Sequence, residues 1–525
     1  MIKVFLLLSL FLTRFVGLNW GYPYLFHPDE NNISSSLLQL SCRDLQTTGL
    51  SECFNPHFYA YGQLPIYLGR VVLSLLELFF QTPENRAVGA SFALRLISAL
   101  ASVLTAGVLY RWLKQEFVKE WPALVGVMLY IFSPIFIQFA HFGTTESLLL
   151  LLFVSLLYLR NRNLLSGFLI GLSGAIKLSA LILAIVPLLQ LFQGAKFSLS
   201  KEKWKGLFLS GLSAILTFVL FTPHYWLNFA AFSQSLAYEA GVASGSLRVF
   251  YTEQFKETVP LLFTLRAILP YALGWGQLIL AIIGSLVALI QKRLRLLFVF
   301  SILLGYQLML YAQWARFWLY LYPLFLYFAT LSLVELRRVS TRFFGFVVLF
   351  LTLGQILTGL AFFSIYLKED SRLSAAAYLL KRAPKEAVIA AESANVVDLS
   401  LRGFWPNYYS NYLYDIETNP ALRQKVFKIL AKADYVVVDS RRVFRNYSCF
   451  YFVKGKLKEE ASCSKTKRYS FIGRYYSLLF NSGKFRLVAT FSSFPELGKW
   501  YWEDENAEET ISVFDHPVVR IYQRK

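Results

Sequence analysis

Apolar residues come in long runs over the first two thirds of the chain, separated by short basic clusters. Runs at 4–20, 88–110, 121–140, 146–159, 164–180, 181–193, 206–223, 267–290, 296–311, 317–334 and 343–366 approach or reach the roughly 20 residues that cross about 30 Å of hydrocarbon as a helix. Their Leu, Phe and Ala content suits helices better than barrel strands. The pattern predicts a polytopic α-helical membrane protein with about 11 crossings. The run 164–193 is split here into two short helices; joining them would invert the topology of everything downstream.

Two long segments interrupt the alternation. The first, 21–87, contains "NPHFYAYGQLPIYLGRVVLSLLELFF", with Pro65, Arg70 and Glu77 inside an apolar stretch, and reads as a helix lying in the interface. The second, about 224–262, opens on "HYWLNF" and is aromatic and polar by turns. From 368 the period changes: "EAVIAAES", "ADYVVVDS", "FRLVATF" and "VVRIYQRK" are short β-rich runs separated by helix-like pieces such as "NPALRQKVFKILAKA". Residues 1–367 therefore read as the membrane domain and 368–525 as a soluble α/β domain.

Composition fits this division. Of 525 residues 56% are hydrophobic and 17% aromatic, too apolar for a soluble chain of this size. The net charge of +20, from 52 Lys and Arg against 32 Asp and Glu, would raise nucleic acid as a partner of a soluble protein. Here the basic loops "RWLKQEFVKE", "RNRN", "QGAKFSLSKEKWK", "QKRLR" and "ELRRVSTR" alternate with cation-poor loops such as "HFGTTES" and "YAQW". The positive-inside rule then puts the N-terminus in the cytoplasm and the C-terminal domain outside, in a multi-pass plasma (inner) membrane protein. Arg14 interrupts the first run and no small-residue cleavage site follows, so it reads as a retained span rather than a cleaved signal. Cys42 and Cys53 share the first outer loop and Cys449 and Cys463 the tail; each pair can be a disulfide or two thiols.

Candidate chemistry gathers at the outer face. Asp29 and Glu30, in "FHPDENN", emerge directly after the first span. Two adjacent acids in apolar surroundings repel, which raises the proton affinity of at least one and suits a general base; a solvated turn capping the next helix is the bland alternative. Arg95, Lys177 and Arg316 fall in or at the outer ends of apolar helices, where a charge is costly and faces a cavity or snorkels to headgroups. Glu146 can cap the helix it opens, and His27, His57, His141 and His224 lie at the same face as pocket or interfacial residues. The complement of such a set is an amphiphile with an anionic head: cations hold a phosphate, and a nearby carboxylate deprotonates a hydroxyl or amine that attacks the sugar carbon bearing it.

The motifs "FHPDE", "NPHFYAYGQLPIYL", "RLISALASVLTAGVLY", "HFGTTESLLLLL", "GFLIGLSGAIKLSAL" and "ARFWLYLYPLF", in that order over roughly residues 1–335, resemble the GT-C membrane glycosyltransferases, and among them the protein O-mannosyltransferase-like group (glycosyltransferase family 39) and its bacterial relatives. The resemblance implies a GT-C fold, a polyprenyl-phosphate sugar donor, and inverting transfer at the outer face to a protein, lipid or glycan acceptor. It implies Asp29 as base with Glu30 beside it, and Lys177 and Arg95 near the donor phosphate; Arg316 matches less strictly, and members often have Asp where this chain has Glu146. No cofactor is required by this reading. A divalent metal is possible through Asp29, Glu30, His141 and Glu146, although their spacing is not diagnostic. A transporter or flippase of an amphiphilic anion would use the same cations, but no paired halves mark the sequence. An adhesion or assembly protein working through its tail is a third reading.

Overall fold

The structure is a computed structural model describing residues 1–40, 52–79, 85–160, 162–193, 196–197, 200–393, 404–461 and 463–525. The chain divides into two compact units: Met1–Leu18, Asp29–Leu247 and Val259–Phe363 form the first, and Asn19–Pro28, Arg248–Thr258 and Ser364–Lys525 the second. Two loop segments, 19–28 and 248–258, thus belong to the second unit, which the sequence pattern alone did not reveal.

The first unit is helical. Arg86–Phe117, Lys201–Phe221 and Thr341–Leu367 are each long and apolar enough to cross a membrane, and two further pairs qualify if each bent pair is one span. One pair, Glu120–Ile131 and Pro134–His141, bends by 59°. Pro134 cannot donate to the preceding turn, so the helix breaks there and leaves carbonyls unsatisfied. Arg14 answers them. Fully buried, it donates to the carbonyls of Tyr130 (3.3 Å) and Ile131 (3.1 Å) and to Ser102 Oγ (2.9 Å). The charge that argued against a signal peptide therefore staples the first helix, Ile2–Phe15, to a break in another.

Helix Glu146–Leu159 coincides with the predicted run, whereas 181–193 is not α-helical. After helix Asn163–Ile176 the backbone extends at Lys177 (φ −156°, ψ 123°), and Leu178–Ile185 and Pro187–Leu191 are 3-10 turns. Pro187, without an amide donor, prevents a continuous helix. The expected interfacial segment contains helix Gln63–Phe79.

The second unit carries a five-stranded sheet in the spatial order Tyr408–Asn411, Ile389–Glu392, Tyr435–Val438, Val519–Arg524, Phe485–Phe491. The first three strands are parallel and the remaining pairings antiparallel. Four of the five strands coincide with the predicted β-rich runs. Ile389, Ala391, Tyr435, Val437, Val519 and Ile521 pack on one face with Ala375 and Leu379 of helix Ser371–Arg382. On the other, Val436, Val438 and Tyr522 meet Val426 and Leu430 of helix Pro420–Lys432 and Tyr475 and Tyr476 of helix Phe471–Phe480. Both faces of the central strands are covered, and Ile389–Glu392 and Tyr435–Val438 are accordingly buried along their whole length and almost wholly apolar. Cys449 and Cys463 form a disulfide; Cys42 lies outside the described residues.

This unit holds the threaded loop segments by specific contacts. The Arg372 guanidinium lies 3.7 Å from the Phe26 ring centroid while it pairs with Asp370. Phe250 stacks on Tyr414 at 4.2 Å. Residues 19–28, which include Phe26, belong to this unit.

Candidate active site

Asp29 and Glu30 open helix Pro28–Gln39, and successive residues on a helix point about 100° apart, so they meet different neighbours. Glu30 is fully buried. Arg95 grips it from two sides: Nε lies 3.0 Å from both carboxylate oxygens and Nη2 2.8 Å from Oε1. Ser91 Oγ and the Gly143 amide, at 2.7 Å, also donate to it. The remaining Arg95 nitrogen, Nη1, donates to the Leu18 carbonyl at 2.8 Å. Gly143 is required by close approach, since a Cβ there would meet Glu30 Cγ at 2.9 Å and Leu94 Cβ at 2.8 Å. Arg95, expected near the donor phosphate, is sealed against Glu30 with no exposed surface.

Asp29 pairs instead with Arg316, and both side chains keep about a fifth of their surface exposed (21% and 22%). The same Arg316 nitrogen lies 3.2 Å from the Tyr61 hydroxyl. Burial lifts the Tyr61 phenol well above its ordinary range, so it stays neutral and accepts from the guanidinium. Arg316 Nε is buried and has no hydrogen-bond partner among the described residues.

Lys177 completes the group. Its ammonium lies 5.5 Å from the Tyr61 ring centroid and 5.1 Å from that of Phe317, next to Arg316 in sequence. No hydrogen bond or ion pair among the described residues engages it. Its position follows from the helix end: the Gly62 amide donates to the Ile176 carbonyl at 2.9 Å, locking Tyr61 beside Lys177. A Cβ on Gly62 would come within 1.9 Å of the Ala175 carbonyl oxygen, so only glycine permits this approach. Lys177 and Arg316 each feel Glu146 and Asp29 electrostatically, and Lys177 also feels Glu239. Glu146 is 4% exposed, with no hydrogen bond or ion pair among the described residues, and directly follows Thr144 and Thr145, whose buried hydroxyls are likewise unpartnered.

The structure therefore brings together Asp29, Arg316 and Lys177, with Glu146 in electrostatic reach, and places the histidines elsewhere. His27 is buried in the second unit, its ring 4.6 Å from that of Phe514. His57 pairs with Glu52 at 2.7 Å, about half exposed. His141 meets the carbonyls of Ile137 (2.8 Å) and Val16 (2.9 Å). His224 receives the Asn228 amide on Nδ1 at 3.0 Å. Tyr61 and Glu239 were not singled out from sequence. Tyr61 stood inside the quoted "NPHFYAYGQLPIYL", marked by the glycine that follows, and Glu239 is the lone charge of helix Phe229–Ser244. Among the described residues no group of three or more His, Cys, Asp or Glu is placed to hold a metal ion.

Residues 87–226 match the family described as dolichyl-phosphate-mannose-protein mannosyltransferase. The likeness is to the protein O-mannosyltransferase-like GT-C enzymes. Within the matched segment lie Arg95, Glu146 and Lys177, while Asp29 and Arg316 flank it. Solved structures similar to the chain include the Archaeoglobus fulgidus oligosaccharyltransferase in complex with Zn and sulfate, at 12% identity and TM-score 0.48, covering 100% of this chain and 88% of that one. The archaeal oligosaccharyltransferase AglB from the same organism, in complex with an inhibitory peptide and a dolichol-phosphate, is similar at 12% identity, TM-score 0.44 and the same coverage, 100% and 88%. ArnT from Cupriavidus metallidurans bound to undecaprenyl phosphate is similar at 14% identity and TM-score 0.48, covering 87% of this chain and 96% of that one. No curated protein matches the sequence at a significant level.

Proposed function

We propose that this protein is an inverting glycosyltransferase that moves a sugar from a polyprenyl-phosphate donor to a hydroxyl or amine acceptor at the outer face of the plasma membrane. In this reading the chain crosses about 11 times, with its N-terminus cytoplasmic and its C-terminal domain outside. The observation that supports the proposal is a pair of cationic donors, Lys177 Nζ and Arg316 Nε, that have no hydrogen-bond acceptor among the described residues and lie beside the partly exposed carboxylate of Asp29. A buried cationic N–H left without an acceptor is costly, and an anionic ligand removes that cost. The matched family's description names a dolichyl-phosphate-linked sugar, which supplies such an anion.

The chemistry follows from an exchange of partners. A donor phosphate between Lys177 and Arg316 competes with Asp29 for the guanidinium and frees the carboxylate to accept a proton. Asp29 then takes the proton of the acceptor hydroxyl as its oxygen bonds to the anomeric carbon. The bond from that carbon to the phosphate oxygen breaks on the opposite face, inverting the centre, and the electron pair leaves with the phosphate. Lys177, Arg316 and the neutral Tyr61 hydroxyl stabilise its growing charge, so no second working carboxylate is needed. Glu30 and Arg95 act as positioning residues that fix the start of the helix presenting Asp29.

The test is to incubate the purified protein with a panel of polyprenyl-phosphate sugars and follow donor and acceptor by mass spectrometry. One donor should be consumed and its sugar appear on an acceptor, with Asp29→Asn inert. A donor that crosses proteoliposomes unaltered would make the protein a transporter instead.

A further inference from the structure

We propose that the hairpin formed by Glu496–Leu497 and Trp500–Tyr501 is a membrane-interface anchor of the C-terminal domain, whose partner is the phospholipid headgroup layer. The strands pair antiparallel, Trp500 opposite Leu497 and Tyr501 opposite Glu496, with Gly498 at φ +60° in the turn. The aromatic edge faces outward: Trp500 is 78% exposed, Tyr501 58% and Trp502 49%. A soluble domain gains nothing by leaving three large aromatic side chains in water, and each contributes apolar area when covered.

The root of the hairpin identifies what covers it. The Glu496 amide donates to Ser364 Oγ at 3.1 Å, Lys368 Nζ pairs with Glu496 Oε1 at 2.7 Å, and the same ammonium donates to the Phe494 carbonyl at 2.9 Å. Ser364 directly follows helix Thr341–Phe363, within a segment long and apolar enough to span a bilayer. The hairpin is therefore tied to the chain where it leaves the hydrocarbon. Two residue pairs extend roughly 7 Å at about 3.3 Å per residue, comparable to the roughly 5–7 Å of headgroup layer on each side of the hydrocarbon. Tip and root thus sit within reach of the same layer. Trp and Tyr, with an apolar body and a polar handle, and Lys499 beside them, are the side chains that layer favours. Phe494 stacks on Tyr501 at 6.0 Å and stiffens the edge.

The same domain supplies a control. The hairpin of Phe450–Val453 and Lys456–Glu459 is of similar form, but its exposed face carries Lys454, Lys456, Lys458 and Glu459. The full-length protein is reconstituted in vesicles of phosphatidylethanolamine and phosphatidylglycerol doped with a phospholipid bearing a diazirine near its glycerol backbone. Photolysis and peptide mapping should find lipid adducts on 494–502 several-fold more often than on 450–459. Trp500→Ser combined with Trp502→Ser should bring 494–502 down to the control level while adducts on helix Thr341–Phe363 are unchanged. Equal labelling of the two hairpins in the wild-type protein, or labelling of 494–502 that survives the double substitution, would overturn the proposal and leave the patch to a protein or glycan. This outcome is independent of whether the chain transfers sugar.

Discussion

Asp29 and Glu30 are neighbours in sequence, chemically alike, and each is paired with an arginine, yet the two pairs differ in every property that matters for chemistry. Glu30 and Arg95 have side chains 1% and 0% exposed and Glu30 accepts from Arg95, Ser91 and Gly143, so nothing is left for a substrate. Asp29 and Arg316 keep about a fifth of their surface, and Arg316 keeps a donor without an acceptor among the described residues. A saturated buried pair specifies structure, whereas an accessible, incompletely satisfied pair can change partners. The difference arises because consecutive helical positions turn the second acid into the packed helix Arg86–Phe117 and leave the first toward Tyr61 and Lys177.

Substitutions at the two acids break the comparison most sharply. Asp29→Asn is expected to lower the transfer rate by about 10²- to 10⁴-fold, the usual worth of a general base, with thermal unfolding in detergent little changed. Glu30→Gln should do the reverse: it uncovers the buried Arg95 charge, at a cost of about 3–5 kcal/mol, so the loss appears in the yield and melting of monodisperse protein. Equal effects of the two on both readouts would erase the distinction. Lys177→Met removes one charge-assisted contact, worth about 1.5–3 kcal/mol, and should lower kcat/KM by roughly 10-fold or more, through a higher donor KM and a lower kcat together.

Glu392 sharpens the contrast from a third side, as a buried acid with no cationic partner among the described residues. Burial lifts its carboxyl to about 8, only partly opposed by the hydrogen bond from Tyr476. An acid raised on folding costs stability as pH climbs from the ordinary carboxylate range through about 8. His516 acts in a higher window. Burial alone would lower its proton affinity, but Asp504 and Asp515 raise it to about 10, a contribution complete below the ordinary imidazole range and lost as pH rises through about 10. Hydrogen-exchange protection of the C-terminal domain, taken relative to the base-catalysed intrinsic rate, should therefore fall from pH 6 to 9, and Glu392→Gln should flatten the lower part of that fall while leaving the upper part. This is the smallest of the expected effects.

The sequence made some of this legible and concealed the rest for physical reasons. Charges in apolar helices stand out because burial there is costly, so Arg95, Lys177 and Arg316 were found together with the acids. Which cation meets which acid was not readable, because it depends on helix rotation and on the close approaches that Gly62 and Gly143 allow. Tyr61 stands in a stretch crowded with aromatic residues, which hides it, and strand Tyr408–Asn411, "YYSN", lacks the β-branched residues of the other four. Long apolar runs located helices, and the division of 164–193 anticipates a break near Lys177, but the interruptions at Pro134 and Pro187 did not show, because there a proline overrides hydrophobicity.

The most direct test of the central claim is equilibrium binding of a polyprenyl phosphate, measured by native mass spectrometry on the wild-type protein and on the Asp29→Asn and Lys177→Met variants. If Arg316 trades Asp29 for phosphate, Asp29→Asn binds the lipid at least as tightly as wild type although it cannot transfer sugar, and Lys177→Met binds it more weakly. Weaker binding by Asp29→Asn, or unchanged binding by Lys177→Met, would contradict the exchange and remove these residues from the roles given to them.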